Sequence, residues 1–397
     1  MIGGGDDLIV IVNGVPFIGW EEARVEQSFD KATGQGTLKI SEQPGQPFPI
    51  NLGDKVQIIC ASTPVLTGHV HEVNGTLDEK HHSIQVTMHD KTKDFVDSTI
   101  GPGIAFKPPI QLKQVLRKTL DKMGLTGIQV IDKSNPEPYG HAEVPVGAVD
   151  QTGHHFGDMW ARKRNVVMNT DGKGNLNIDR NTKRMGSGWL FSTHEDSSLN
   201  NVKKSQYKNS DQNRHNTTAA AAQKSHNDMK HWEGRPKGDP PAQADKLQKN
   251  WGKANDTGVR PERRRHYRAG KGLEGSSPKK AAKWRSNLAK ARGFQYTATV
   301  QGFEMSPGQL WWPGFVIPVL DAHWNLSDTL LIVDVRFHKD WQKGATTEVV
   351  CTFSDAYSES EGSSSSRTAK RGIGGGDAGA YEPASMPDIE GDQGGNG

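Results

Sequence analysis

The sequence has little of what would staple, anchor or steer a chain. Two cysteines in 397 residues, Cys60 and Cys351, cannot build a disulfide framework. Each sits in an alternating segment and reads as a small buried apolar residue, as expected of a protein folded in a reducing cytoplasm. Hydrophobic residues make up 33% and aromatics 7%, and no apolar run approaches the length of a membrane span. Met1 to Asp7 is glycine-rich and acidic, without the apolar core of a secretion signal. Charge of one sign is not in excess: 49 Lys and Arg stand against 46 Asp and Glu, a net +3, so the chain as a whole is no polycation. A nucleophile with its base and orienting acid is not recognisable, nor is a Cys/His pair. Gly374-Gly375-Gly376 has neither the preceding strand nor the following helix of a phosphate loop. Glu21-Glu22, Glu359 and Glu361 are carboxylates without an evident cleft, whereas glycan cleavage needs two held across one. These absences predict a non-enzyme, with no catalytic residue, no cofactor and no resident metal.

What is present is alternation and glycine. Gly is abundant, at 45 residues, which suits many short strands, and the length implies roughly two to four domains. Ser28 to Asp97 and Phe294 to Tyr357 share a pattern. Laid ungapped at an offset of 265, Leu66 falls on Leu331, Val70 on Val335, Ile84 on Val349, Val86 on Cys351, Met88 on Phe353 and Asp90 on Asp355, with Thr87 on Thr352. Each copy reads as a lead-in strand after Gly53 or Gly314, an alternating strand, a polar turn and a second alternating strand closing on Thr-x-x-Asp. Such strands bury one face and wet the other. Two related antiparallel β-barrels are expected, with two unrelated antiparallel domains as the alternative.

Along the chain, Leu8 to Val12, Asn13-Gly14 and Val15 to Trp20 form a hairpin signal. Ala23 to Phe29, Gln35 to Ser41, Val56 to Cys60, Val65 to Val73 and Ser83 to Asp90 continue a first barrel over 1–98. An α/β domain spans 99–196. There Leu112, Val115, Leu116, Leu120 and Met123 share a helical face ending at Gly124; Ile128 to Ile131 is a short strand. Phe156, Met159 and Trp160 mark a second helix within Thr152 to Arg164, and Asp171-Gly172 turns a hairpin. The second barrel starts over 197–227, where Val202-Lys-Lys-Ser205 resembles Val25-Glu-Gln-Ser28. A polar and basic helical insert over 228–292 is expected to pack with the α/β domain. It holds a short helix after Pro240-Pro241 with Ala244, Leu247 and Trp251, and a helix from Ser277-Pro278 to Gly293. The barrel resumes over 293–357, and 358–397 is a Gly/Ser-rich tail too poor in apolar residues to order itself without a partner.

The segments Gln295-Tyr-Thr-Ala-Thr-Val-Gln-Gly-Phe303, Gly308-Gln-Leu-Trp-Trp-Pro-Gly314, Leu330-Leu-Ile-Val-Asp-Val-Arg-Phe337, Gly344-Ala-Thr-Thr-Glu-Val349 and Ser354-Asp-Ala-Tyr357 closely resemble the C-terminal region of Mu-like phage baseplate hub proteins, the tail protein P and late-control-D-like family. Arg260-Pro261, Ala282-Lys-Trp284-Arg285 and the opening from Ile9 through Trp20 match as well. The resemblance covers most of Leu8 to Tyr357. It is loose over 132–151 and 227–256, and absent from the tail. It implies a virion protein of a contractile-tail baseplate, assembled in the host cytoplasm. The hub would be a homotrimer between the sixfold tail tube and the threefold central spike, its first barrel facing the tube, with other baseplate proteins as further partners. The duplication gives that role a physical logic, because three chains with two similar barrels offer six similar surfaces while remaining threefold.

Interface positions are expected at Leu8, Val10, Val12, Val202, Tyr207, Trp284, Arg285, Trp311 and Trp312. His69, His71 and His89 would bind a metal if they converged, but the ordinary reading is a polar barrel face. The basic run from Arg260 to Arg292, with Tyr267 and Trp284 interleaved, allows transient non-specific contact with exiting DNA. Its ordinary reading is a solvated helix face with salt bridges. Two other classes compete with this one. A tail-associated peptidoglycan hydrolase lacks a carboxylate site, and a secretion-system spike in one chain needs a long repetitive β-prism where only the short tail remains.

Overall fold

A computed structural model describes residues 6–40, 49–77, 82–140, 150–195, 197–221, 251–268, 278–342 and 344–358. The first hairpin is β1 (Leu8–Val12) and β2 (Val15–Phe17), turned by Asn13 and Gly14 at φ of 50° and 84°. There follow β3 (Trp20–Ser28), β4 (Gln35–Ile40), β5 (Lys55–Cys60), the long β6 (Thr63–Leu77) and β7 (His82–Asp90). Asp90 closes this half from inside. It is buried, and its carboxylate accepts from the backbone N–H of Gly34 and of Thr67, each at 3.0 Å, and from Gln27 Nε2 at 3.3 Å.

A short helix α1 (Lys93–Asp97), which the sequence pattern does not announce, leads into the α/β layer. This consists of α2 (Leu112–Lys122), β8 (Val130–Asp132), α3 (Gly153–Lys163), β9 (Val167–Thr170) and β10 (Leu176–Asp179). The apolar stripes put Leu112, Val115, Leu116 and Leu120 against Phe156 and Trp160 in a core of their own with Phe95 and Tyr139. Gly157 permits the close approach of the helices, because a Cβ there would lie 2.8 Å from Leu116 Cδ2. Thr152 caps α3 by accepting from His155 N–H at 3.1 Å. Asn169 Nδ2 donates to Phe29 O at 3.0 Å and ties the layer to β3.

The second half contributes β11 (Leu190–Ser192), β12 (Val202–Asn209), β13 (Thr217–Ala221), β14 (Trp251–Asn255), β15 (Arg264–Arg268), α4 (Pro278–Gly293) and β16 (Phe294–Gln301). The small hairpin of β17 (Glu304–Ser306) and β18 (Gln309–Leu310) precedes β19 (Val316–Asp321). A 3-10 turn (Ala322–Trp324), β20 (Leu326–Asp340) and β21 (Gly344–Phe353) complete it.

The chain is mainly β with an α/β insertion, as its alternation predicts. The two halves, however, share one sheet. Thirteen strands form one sheet along the order β12-β16-β21-β20-β3-β4-β7-β6-β5-β1-β2, with β19 paired to β20 and β11 to β19. Barrel closure is not seen in the pairing of the described strands. The halves join where β20 pairs antiparallel with β3, from Asp334 opposite Ser28 to Asp340 opposite Glu22. A single core runs through both, from Val10 and Ile58 to Val335 and Phe337.

The insert also differs from expectation. Trp251 opens a strand rather than ending a helix, while Ala244 and Leu247 lie outside the described residues. β13, expected within the second barrel, instead makes a three-stranded sheet with β14 and β15. α4 packs on β13 and β14 and on β16 and β21, with Ala281 and Ala282 against Ala220 and Ala254.

Candidate assembly interface

The hydrogen-bond ladders show how the two halves correspond. Gly36 of β4 pairs with Met88 of β7, and Tyr296 of β16 pairs with Cys351 of β21. Gly53 N–H donates to Val70 O and Val70 N–H to Asp54 O, each at 2.9 Å; Gly314 N–H donates to Ile332 O at 2.9 Å and Ile332 N–H to Phe315 O at 2.8 Å. β6 bulges after Val70 and β20 after Ile332. β3 bulges after Trp20 and β12 after Val202. Hence β12, β16, β19, β20 and β21 repeat β3, β4, β5, β6 and β7 in order and direction. The equivalences are Tyr296 for Gly36, Val316 for Lys55, Ile332 for Val70 and Cys351 for Met88, so the offset grows by one residue per strand. The ungapped 265 is therefore corrected. It names the right strands but carries Leu66, which packs in the shared core, onto Leu331, which packs on the opposite face with Trp284 and Tyr357.

The repeat leaves two edges without the cover their counterparts have. In the first half, Ala23 and Val25 of β3 are fully buried because β20 lies beside them. Their equivalents on β12, Ser205 and Tyr207, are half-buried, and no described strand pairs with the other edge of β12. In the second half, Val335 and Phe337 of β20 are fully buried by β3. Their equivalents on β6 are Val73, half-buried, and Gly75, exposed. Beyond Val70, β6 is paired along its β7 edge alone among the described strands. Lys203, Lys204 and Lys208 on β12 and Glu72, Asn74 and Thr76 on β6 are exposed. Trp324 lies stacked on Tyr207 at 5.8 Å and donates from Nε1 to Ser205 Oγ at 3.0 Å.

The expected interface positions divide accordingly. Val202 and Tyr207 are on the open strand β12 and pack partly on the core. Leu8, Val10 and Val12 form the inward row of β1, Trp311 is enclosed in the same core, and Trp284 is buried on the other face. Their side chains are committed within the chain. Arg285 lies over the Tyr267 ring at 3.8 Å, and Trp312 packs partly buried near Phe337. What sequence reasoning missed is the β6 edge, whose Gly75 and Asn74 carry no apolar signal. The bulges gave no sequence sign either, since they shift the facing and are invisible without the ladder.

His71 and His89 meet edge to face at 5.2 Å, and His69 stands opposite His89 in the ladder. The metal-type donors that converge within 4.8 Å among the described residues are instead Glu22, His338 and Asp340, at the β3–β20 junction, where His338 Nε2 and Glu22 Oε1 are 2.8 Å apart. Part of the basic segment is paired inside the chain. Arg263 meets Asp211 at 2.9 Å, and Lys290 lies 3.6 Å from Asp256, which also holds Arg214 at 3.1 Å. Cys60 and Cys351 are free, and burial pushes both thiols up.

Residues 7–90 match the family model of the Mu phage baseplate assembly protein GpP-like N-terminal domain. The domain agrees with the resemblance drawn from the sequence, and it ends on the buried Asp90. The fold is similar to the 43 kDa tail protein of prophage MuSo2 from Shewanella oneidensis, at 21% identity and TM-score 0.69, covering 88% of this chain and 98% of that one. It is also similar to a tail protein from Neisseria meningitidis MC58, at 17% identity and TM-score 0.71, covering 88% and 97%. A more distant likeness is to an E. coli component of the type VI secretion system reported to resemble T4 tail proteins gp27 and gp5, at 8% identity and TM-score 0.50, covering 86% and 76%. No curated protein matches the chain.

Proposed function

We propose that this chain is a structural hub of a contractile phage tail baseplate, a homotrimer that adapts a sixfold tail tube to a threefold central spike. The observation that carries this reading is the repeat of five strands within one chain, with matching bulges and matching Gly53 and Gly314. Two like units per chain become six in a trimer, and a ring closes when its rotation closes. The GpP-like N-terminal domain and the tail-protein fold support the same reading. Partners would be the tail tube protein, the central spike protein and neighbouring baseplate proteins. The contribution is positional rather than chemical.

Size-exclusion chromatography with light scattering, followed by projection images down the particle axis, tests the proposal. Three chains and a hexagonal outline with threefold detail are expected. A monomer at micromolar concentration, with the spike protein present, would overturn it.

A further inference from the structure

β3 of the first repeat pairs with the outer half of β20 in the second. Each strand has a counterpart whose corresponding edge is open: β12 stands for β3, and β6 beyond Val70 stands for β20 beyond Ile332. We infer that β12 of one chain pairs antiparallel with β6 of the next, repeating between chains the β3–β20 junction within each. The inference rests on the trimer reading above and names the surface that would build it.

The register follows from the equivalences. Within the chain Val25 faces Phe337 and Glu26 faces Arg336. Transferred to the open edges, Tyr207 faces Gly75, Lys208 faces Asn74, Gln206 faces Thr76 and Ser210 faces Glu72. Phe29 N–H donates to Val333 O at 2.7 Å, which makes the Val25–Phe337 step a hydrogen-bonded pair and the Glu26–Arg336 step a non-hydrogen-bonded one, because the two kinds alternate. The same alternation assigns Tyr207 and Gly75 to a hydrogen-bonded pair, and Lys208 and Asn74 to a pair with closer side chains.

Three features fit this occupant. The large side chain changes sides: a ring on β20 covers a valine on β3, whereas Tyr207 on β12 would cover Gly75, where an added Cβ meets nothing within 4 Å. The charge changes sides too. Glu26 on β3 binds Arg336 on β20 at 3.2 Å, and Lys208 on β12 would have Glu72 on β6 as its diagonal neighbour, within reach of a long side chain. Finally, Lys203, Lys204 and Lys208 oppose pairing of β12 with a second β12, which favours the heterologous contact that a ring needs.

Cysteine cross-linking decides it, since Cys60 and Cys351 are fully buried and leave the background clean. The full chain carrying Lys208→Cys and Asn74→Cys together, both at exposed positions, should on mild oxidation convert to disulfide-linked dimers and trimers that collapse to single chains on reduction. An equimolar mixture of the two single variants should stop at dimers. The shifted pair Lys208→Cys with Glu72→Cys should cross-link less. A protein trimeric by light scattering but not cross-linked through 208 and 74 would overturn the pairing while leaving the trimer standing. Preferential linkage of the shifted pair would overturn the register, and a monomer would overturn trimer and pairing together. Hydrogen exchange on the unmodified protein provides a second readout: amides of Tyr207 and Gly75 should gain protection on assembly, and unchanged exchange there would overturn the inference.

Discussion

Gly53 and Gly314 hold the same place in two copies of one sheet, each at a positive φ, 85° and 95°, and each donating its N–H at 2.9 Å to the strand carbonyl just before a bulge. A side chain in this backbone region is strained in either copy. Their surroundings differ, however. A Cβ on Gly53 meets nothing within 4 Å, whereas one on Gly314 lies 3.0 Å from the ring of Phe29. Gly53→Ala should therefore cost about 1 kcal/mol and Gly314→Ala roughly 2 kcal/mol. Urea unfolding of the two variants checks this, and equal losses would contradict it.

A buried ion pair lies beside the small sheet of β13, β14 and β15. Arg214 and Asp256 meet through Nε–Oδ2 at 3.1 Å and Nη2–Oδ1 at 3.2 Å, and Asp256 also accepts from Gly258 N–H at 3.1 Å. Removing one partner strands the other charge away from water. Asp256→Ala should cost about 3–5 kcal/mol, and hydrogen exchange should show the loss concentrated in β13, β14 and β15. Uniform loosening of the whole sheet would mean that the pair supports more than the insert.

Acid should weaken the first half of the sheet through His89. Burial holds its pKa below the ordinary 6.5, neighbouring His71 and Lys93 push the same way, and the Gly34 carbonyl and Asp97 oppose them. With a lowered folded-state pKa, the unfolded chain binds the proton first as pH falls. The stability associated with neutral His89 is thus complete above pH 6.5 and is lost as pH drops through its lowered folded value. Thermal unfolding between pH 7 and 5 should show a falling midpoint, and His89→Gln should flatten the profile. A midpoint that rises with acid in the parent would reverse this assignment.

Much of the architecture was legible in the residues. Alternation gave β6, β7, β20 and β21, Asn13-Gly14 gave the first hairpin, and Pro278 and Gly293 bounded α4, because these are local effects of period and backbone conformation. The Thr-x-x-Asp ends of the two copies were misleading. Asp90 is a buried acceptor for three donors, whereas Asp355 is partly exposed and pairs with Lys183 at 2.7 Å. Identical letters at a fixed offset do not survive one-residue differences in loop length and bulge position.

The sequence alone determined that this chain makes a β-rich fold twice, with an α/β layer between, since side-chain period and turn chemistry act over a few residues. Only the tertiary structure decided that the two copies share one sheet through β3 and β20, and which edges that sharing leaves open. Strand pairing joins residues some three hundred positions apart by backbone groups that every sequence carries. The choice of neighbour is therefore made by packing and register, not by any local signal.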